Sequence, residues 1–273
     1  MSTTCVICKH PAEFYTSAMD VEYFTIDKPI QYNQCTNPQC GVLLADPMMA
    51  GKLDIIYPHN YYSFATSSDS FVHKIKSWID LHFYKNILQS LDGENLKVLD
   101  IGGGSGYVSG LIRNSDQRVS HTMIVDIDRA AEKKARNAGH DFFCGRLEEF
   151  NSGKFYDLIL MLNVIEHVTD PASMLKNVRE LLSDQGVIIV QTPNIDSWDA
   201  KIFKDKSWGG YHSPRHFVLF NKENFVSMAL RLKLKIFKFK YVQGASFWAL
   251  SIMNILHKKR WIRASKERPL IDH

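Results

Sequence analysis

The fold is decided by Lys97-Val98-Leu99-Asp100-Ile101-Gly102-Gly103-Gly104-Ser105-Gly106-Tyr107. A short apolar run ends in an acid and then in glycines at 102, 104 and 106, followed by Val108-Ser109-Gly110-Leu111-Ile112 at helical spacing. This reads as a strand, a tight turn and the start of a helix. Glycines there permit positive φ and let a ligand approach the backbone closely. The helix start offers unpaired N–H groups and a positive dipole end. Asp100, at the strand's end, either orients the loop or meets a ligand ammonium. The D-x-G-x-G-x-G spacing differs from the G-x-G-x-x-G dinucleotide fingerprint.

Outward from this turn, strand and helix patterns alternate, which predicts a parallel α/β sheet. A second strand near His121–Val125 ends in Asp126-Ile127-Asp128, an acid 20 residues beyond Gly106. A carboxylate at that place can accept ribose hydroxyls. A helix over Ala130–Asn137 and a third strand near Asp141–Cys144 follow, then Leu147 and Glu148. The apolar run from Phe155 to Leu162 suits a strand covered on both faces, ending in Asn163-Val164-Ile165-Glu166-His167-Val168-Thr169-Asp170-Pro171. Asp170-Pro171 opens a helix carrying Leu175, Val178, Leu181 and Leu182 on one face, and Gly186 breaks it before a fifth strand at Val187–Val190. Asn221–Leu230 reads as a helix. Leu232–Val242 alternates lysines with apolar residues, like a strand with one wet face.

Before the α/β pattern stand Cys5-x2-Cys8 and Cys35-x4-Cys40, with Cys144 far away. Without a basic and apolar leader at the N-terminus, that spacing favours metal over disulfides. Residues 1–60 read as a zinc ribbon in which Zn2+ compensates for a small core. Buried free thiols or a redox pair are the alternatives, and His10 can replace a thiolate. The expected organisation is this module, a linker and helix over 61–96, an α/β domain over 97–244, and a basic helical tail over 245–273. The linker holds Tyr57, Tyr61 and Tyr62, then a polar run that caps a helix at Ser70. The helix presents Phe71, Ile75, Trp78, Ile79, Leu88 and Leu91 at helical spacing.

Composition narrows the function classes. The chain has 273 residues and a net charge of only +4, which does not by itself argue for nucleic acid. No run approaches the ~20 apolar residues of a membrane span. Cytoplasmic location is the expectation. Lys258, Lys259, Arg260, Arg263, Lys266 and Arg268 give the tail a basic face for an anionic membrane or carrier, or simply for solvent.

The motifs Val98–Gly106, Val125-Asp126 and Asn163–Pro171 together resemble class I S-adenosylmethionine (SAM)-dependent methyltransferases related to those of ubiquinone biosynthesis. With the cysteine pairs, the Tyr-Pro…Tyr-Tyr stretch and Pro214-Arg215-His216, the layout is similar to zinc-ribbon methyltransferases of natural-product and sugar pathways. The resemblance implies a Rossmann-like, mostly parallel sheet of the seven-stranded type, its last strand missing or displaced. It implies SAM contacts from Asp100, Gly102, Gly104, Gly106, Asp126 and Ile127. Leu147 and Glu148 would flank adenine, and Asn163 would lie beside the sulfonium. Arg146 stands where many relatives carry Asp. Some relatives bind a divalent metal through Glu-x-x-Glu-His, and Asn163 replaces the first Glu here.

SAM is already activated, so a methyltransferase mainly aligns the acceptor, adding a base where a proton must leave. His167, His212 and His216 are the candidate catalytic bases. His212 is favoured because Gly209-Gly210 would leave it mobile. Trp208, Tyr211 and Arg215 are candidates for holding the acceptor, in an irregular segment that follows the fifth strand. The expected reaction is O- or C-methylation of a sugar, polyketide or phenol-like molecule. RNA or protein methylation and non-catalytic SAM binding are the competing readings. Lys9 as the sole basic residue in the knuckles argues against a nucleic-acid grip.

Overall fold

The computed structural model describes residues 3–58, 71–205, 207–242 and 244–265. Its chain divides into two compact units, one gathering residues 1–61, 165–175 and 192–273, the other 62–164 and 176–191. The first unit begins with strands β1 (Thr3–Thr4), β2 (Pro11–Ala18), β3 (Ile30–Cys35) and β4 (Leu43–Asp46), paired antiparallel in sequence order. Loops over residues 5–10, 19–29 and 36–42 connect them. Leu43, Leu44 and Ala45 of β4 are all buried. A single helical turn, α1 (Leu53–Ile56), follows. Residues 59–70 lie outside the described part, and with them the expected cap at Ser70 and the aromatic residues Tyr61 and Tyr62.

The second unit is the α/β sheet. It starts with α2 (Phe71–Leu88) and β5 (Leu96–Ile101), then α3 (Tyr107–Ser115) and β6 (Val119–Asp126). It continues through α4 (Arg129–Asn137), β7 (Asp141–Cys144) and β8 (Tyr156–Leu162). After α5 (Pro171–Glu180), β9 (Leu182–Gln191) completes five parallel strands in the order β7-β6-β5-β8-β9. Val98, Leu158 and Leu160 pack against Tyr84 and Leu88 of α2 and Ile112 of α3. Ile124 and Phe142 pack against Ala131 and Ala135 of α4. Each such aliphatic side chain contributes roughly 1.5–3 kcal/mol on burial. That is why β8 carries the unbroken apolar run from Leu158 to Leu162.

Two expectations change here. Leu182 belongs to β9 and not to the helix, because the helix ends at Glu180 and the strand runs through Gly186. Among the described residues no sixth or seventh strand joins this sheet, and Leu232–Val242 is not a strand. Lys233 takes φ 60° just after a helix ends, and Phe237, Tyr241 and Val242 stay exposed. Alternation predicts a strand only where a ladder partner exists, and this segment has none among the described residues.

The first unit resumes after β9 with α6 (Trp198–Ile202) and a stretch, residues 207–220, buried throughout. Its end, β10 (Val218–Leu219), pairs antiparallel with β4, setting Val218 opposite Leu44 and Leu219 opposite Leu43. Then come α7 (Lys222–Arg231), capped by the side chain of Asn221, and α8 (Ala245–Lys258). Tyr32, Leu43, Trp208, Tyr211 and Leu219 share one core. The expected divisions therefore shift. Residues 192–244 group with the N-terminal strands over residues 1–61. The described part of the expected tail is a docked helix: Ser251 Oγ accepts from Gly209 N at 2.8 Å, and Asn254 Nδ2 donates to Ser207 O at 3.1 Å. Lys266 and Arg268 lie outside the described residues. Among the described residues no helix is long and apolar enough to cross a membrane.

Candidate functional site

The turn after β5 has the geometry that its glycines predict. Gly102 and Gly106 sit at φ 71° and 83°. A Cβ on Gly102 would fall 2.5 Å from Val164 Cγ2, and one on Gly106 would fall 2.5 Å from His140 Cδ2. Above Gly104 a Cβ would meet nothing within 4 Å, so the loop leaves that surface open. Asp126 spans the turn: Oδ2 accepts from Gly104 N at 2.8 Å and Oδ1 accepts from Asp128 N at 2.8 Å. Burial raises its pKa, which those backbone donors partly offset. Asp100 is buried beneath Gly103, and its Oδ2 accepts from Ser109 Oγ at 2.8 Å. Burial lifts its carboxyl to about 7. Of its two expected roles, loop orientation is the one the contacts support.

Other expected contact residues are placed unevenly. Ile127 is half exposed, Glu148 is exposed, and Leu147 is buried in the short turn Leu147–Glu149. Asn163 is exposed at φ 56°, tied by its N–H to Gln191 O at 2.9 Å. The open surface over Gly104 and the spare lone pairs of Asp126 fit a nucleoside cofactor such as SAM. His140, Ser109 and Val164 support this turn. The sequence reading missed them, since only their packing against the glycines marks them.

The four N-terminal cysteines converge. Cys5 Sγ lies 3.8 Å from Cys40 Sγ and Cys8 Sγ lies 3.3 Å from Cys35 Sγ, with all four sulfurs within 4.8 Å of one another. A tetrahedral Zn2+ with ~2.3 Å bonds sets sulfurs about 3.8 Å apart, so the donor set fits. The hydrogen bond from Cys40 outweighs burial and draws the Cys5 thiol down to about 5. His10 is exposed and is not part of the cluster.

The histidines form a second cluster in the same unit. The His167 and His216 rings lie 4.7 Å apart, His212 and His216 4.9 Å, and His167 and His212 6.3 Å. His212, only 3% exposed, has Nδ1 2.9 Å from Glu22 Oε1. His216 Nδ1 lies 2.8 Å from Gly210 O. His167 Nδ1 lies 3.0 Å from Arg215 O and 2.9 Å from the Tyr57 hydroxyl. Glu166 is fully buried, accepting from Thr192 Oγ1 at 3.0 Å. Burial pushes Glu166 up to about 8, and burial with the neighbouring imidazoles takes His167 down to about 3 and His216 well below its ordinary value.

The acceptor-holding residues are placed differently from expectation. Arg215 is 0% exposed and grips Asp20 with both terminal nitrogens, at 3.2 and 3.3 Å. Its Nε donates to Ile56 O at 2.7 Å and its guanidinium lies 4.7 Å from the centre of the Tyr23 ring. Burial pushes Asp20 up, but Arg215 and the Thr25 donors hold its carboxyl below the ordinary value. A guanidinium so committed is structural. Trp208 and Tyr211 are likewise buried, their polar tips bonded to Asp199 and to Lys204 O. Nor do Gly209 and Gly210 confer mobility on His212. A Cβ on Gly209 would lie 2.6 Å from Leu250 Cβ, and one on Gly210 would lie 2.2 Å from the Trp208 ring. They are glycine because helix and indole leave no room. Asp20 and Glu22 went unnoticed in the sequence, since nothing local separates a buried acid from a solvated one.

A model of the family described as "Methyltransferase domain" matches residues 71–236. The chain belongs to that family. Its parallel sheet and glycine turn are those of class I SAM-dependent methyltransferases. It is 31% identical to the ubiquinone biosynthesis O-methyltransferase of Bradyrhizobium diazoefficiens over 41% of this chain and 46% of that protein. To the ubiquinone biosynthesis O-methyltransferase of Bartonella tribocorum it is 30% identical over 50% of this chain and 53% of that one. The chain thus spans about half the length of these curated relatives. The crystal structure of the plantazolicin methyltransferase BpumL covers 78% of this chain and 93% of its own at 18% identity, with a TM-score of 0.46.

Proposed function

We propose that the chain transfers the methyl group of SAM to a small-molecule acceptor, at oxygen or carbon of a sugar, polyketide or phenol-like compound. The observation that carries this reading is the turn Gly102–Gly106 with Asp126 beside it, open above Gly104 and otherwise closed by packing. Bound there, SAM would supply an electrophilic methyl on sulfur. The chain's own residues would do the rest. Asp126 accepts ribose hydroxyls while holding Gly104, and Asp100 keeps the turn in shape from below. Ile127, Leu147, Glu148 and Asn163 line the remaining cofactor surface. His212 is the proposed proton acceptor. Glu22 orients its ring through Nδ1. The cysteine cluster holds a structural Zn2+ that stabilises the N-terminal strands.

Two features favour a small molecule over nucleic acid: the low net charge and the single lysine in the knuckles. The test is incubation with methyl-labelled SAM and a panel of phenols, sugars and polyketides, with total RNA and protein as parallel acceptors. Label in a small-molecule product supports the reading. Label confined to RNA or protein overturns it.

A further inference from the structure

We propose that the run from Leu232 to Val242 and the turn that follows α8 form a docking surface for an anionic lipid bilayer. From Asn224 to Ser265 the chain holds nine Lys and Arg and no Asp or Glu. All 29 acidic residues lie outside that stretch, so the modest net charge of +4 conceals a strongly cationic region. Both parts of it belong to the first unit.

Charge alone would make an ordinary solvated face. What sets this stretch apart is the large apolar side chains left uncovered among the cations. Leu232 and Leu234 are half-buried between exposed Lys233 and Lys235, but from Ile236 to Val242 every residue is exposed. Phe237 is 81% exposed, and Tyr241 and Val242 are each 68% exposed. The end of α8 repeats the arrangement. Arg260 takes φ 60° and Trp261 N donates to Leu256 O at 2.9 Å, a cap that commonly folds the following apolar side chain back on the helix. Trp261 instead stays 73% exposed, with Lys259 Nζ 5.1 Å from the centre of its ring.

The order of the residues favours lipid over nucleic acid. Phe237, Phe239 and Tyr241 alternate with Lys238 and Lys240. In an extended chain that alternation puts the rings on one side and the ammonium groups on the other. Single-stranded nucleic acid is gripped by cations and stacking rings that line one groove together. A bilayer surface accepts the two sides separately: rings settle at head-group depth, and lysine stems carry their charge back to the lipid phosphates. Tyrosine and tryptophan are the aromatic residues favoured at that depth. The surface stands independently of the proposed methyl transfer.

The experiment is vesicle flotation of the full, zinc-loaded chain, comparing phosphatidylcholine with phosphatidylcholine containing phosphatidylglycerol. The expected result is at least about tenfold tighter binding to the anionic vesicles at ~0.1 M salt, a preference lost at ~1 M salt. Lys235→Gln and Lys238→Gln should each weaken that binding by about fivefold. Phe237→Ser should weaken it by roughly tenfold, whereas Phe155→Ser, equally exposed but in the other unit, leaves it unchanged. Thermal unfolding of these surface variants should match the parent. Tryptophan emission should move to the blue on anionic vesicles, and Trp261→Phe should abolish that shift. Equal affinity for neutral and anionic vesicles, capture of single-stranded RNA but not of vesicles, binding unaltered by all three substitutions in the run, or a blue shift that persists without Trp261 overturns the proposal.

Discussion

The turn at Gly102–Gly106 and the segment from Trp208 to Phe220 look alike as sequence, each pairing glycines with ionisable residues, and they are built in opposite ways. In the first, left-handed backbone at Gly102, Gly104 and Gly106 sets the geometry. Gly106 N bonds Gly103 O, and Gly104 has only open space above it. In the second, distant residues set it: Asp20 for Arg215, Glu22 for His212, and α8 for Gly209. Gly102 and Gly106 serve both positive φ and close packing, Gly104 leaves an open surface, and Gly209 and Gly210 serve lack of room alone. A glycine next to a histidine is thus no sign of mobility until one knows what fills the space around it.

Substitutions in the two regions should separate them. The largest effect is expected at the cysteines. Cys35→Ser should remove one equivalent of zinc by elemental analysis and leave the first sheet unfolded by hydrogen exchange, since structural zinc supplies on the order of 10 kcal/mol in small modules. Full metal retention would break the assignment. Next, Arg215→Met strands Asp20 as a buried unpaired charge, a loss of about 3–5 kcal/mol in denaturant unfolding. SAM affinity measured under folding conditions should not change. An anion-binding defect with normal stability would restore the acceptor-holding role.

Gly209→Ala should cost about 1–3 kcal/mol from overpacking against Leu250. Gly104→Ala should leave packing alone and cost only the strain of a left-handed alanine, roughly 1 kcal/mol. Equal losses in thermal unfolding would erase the contrast. Asp126→Ala should weaken SAM binding by about 1–3 kcal/mol in calorimetry, with a smaller effect on stability. Unchanged affinity would remove the ribose assignment.

The smallest effect is a slope. The folded chain keeps His167 neutral to about pH 3, whereas an unfolded histidine takes a proton near 6.5. Stability contributed by the neutral ring is therefore complete above pH 6.5 and lost as pH falls toward 3. His167→Gln should reduce that acid slope by up to about 1.4 kcal/mol per pH unit, read from denaturant midpoints across pH 4–7.

Legibility in the sequence followed the range of the interactions. Strand β7 and the helix at Pro171 matched their expected starts because apolar period, caps and glycine breaks act within a few residues. The cysteine cluster was legible because metal chemistry restricts which residue types recur at such spacing. The fate of Arg215, Trp208 and Tyr211 was not, since their partners lie up to 195 positions away. Nor was the failure of Leu232–Val242 to join a sheet, because its pattern is that of a strand and only the partner is missing. Glu22 illustrates the same limit from the other side. As a sequence token it is a charged residue beside aromatics, and as a buried neighbour of His212 it orients a candidate base.

The pairing of β10 with β4 has a consequence for how the chain is made. Leu44 waits for Val218, so the edge of the first sheet stays open while more than 170 further residues leave the ribosome. The parallel sheet over residues 96–191 is complete before that pairing can form. Closing so long a loop adds entropy cost only slowly with length, but it delays contact formation, which sets folding speed. A nascent chain arrested between Gln191 and Val218 should therefore expose the apolar edge of β4, in Leu43 and Leu44, and be vulnerable to association there until β10 arrives.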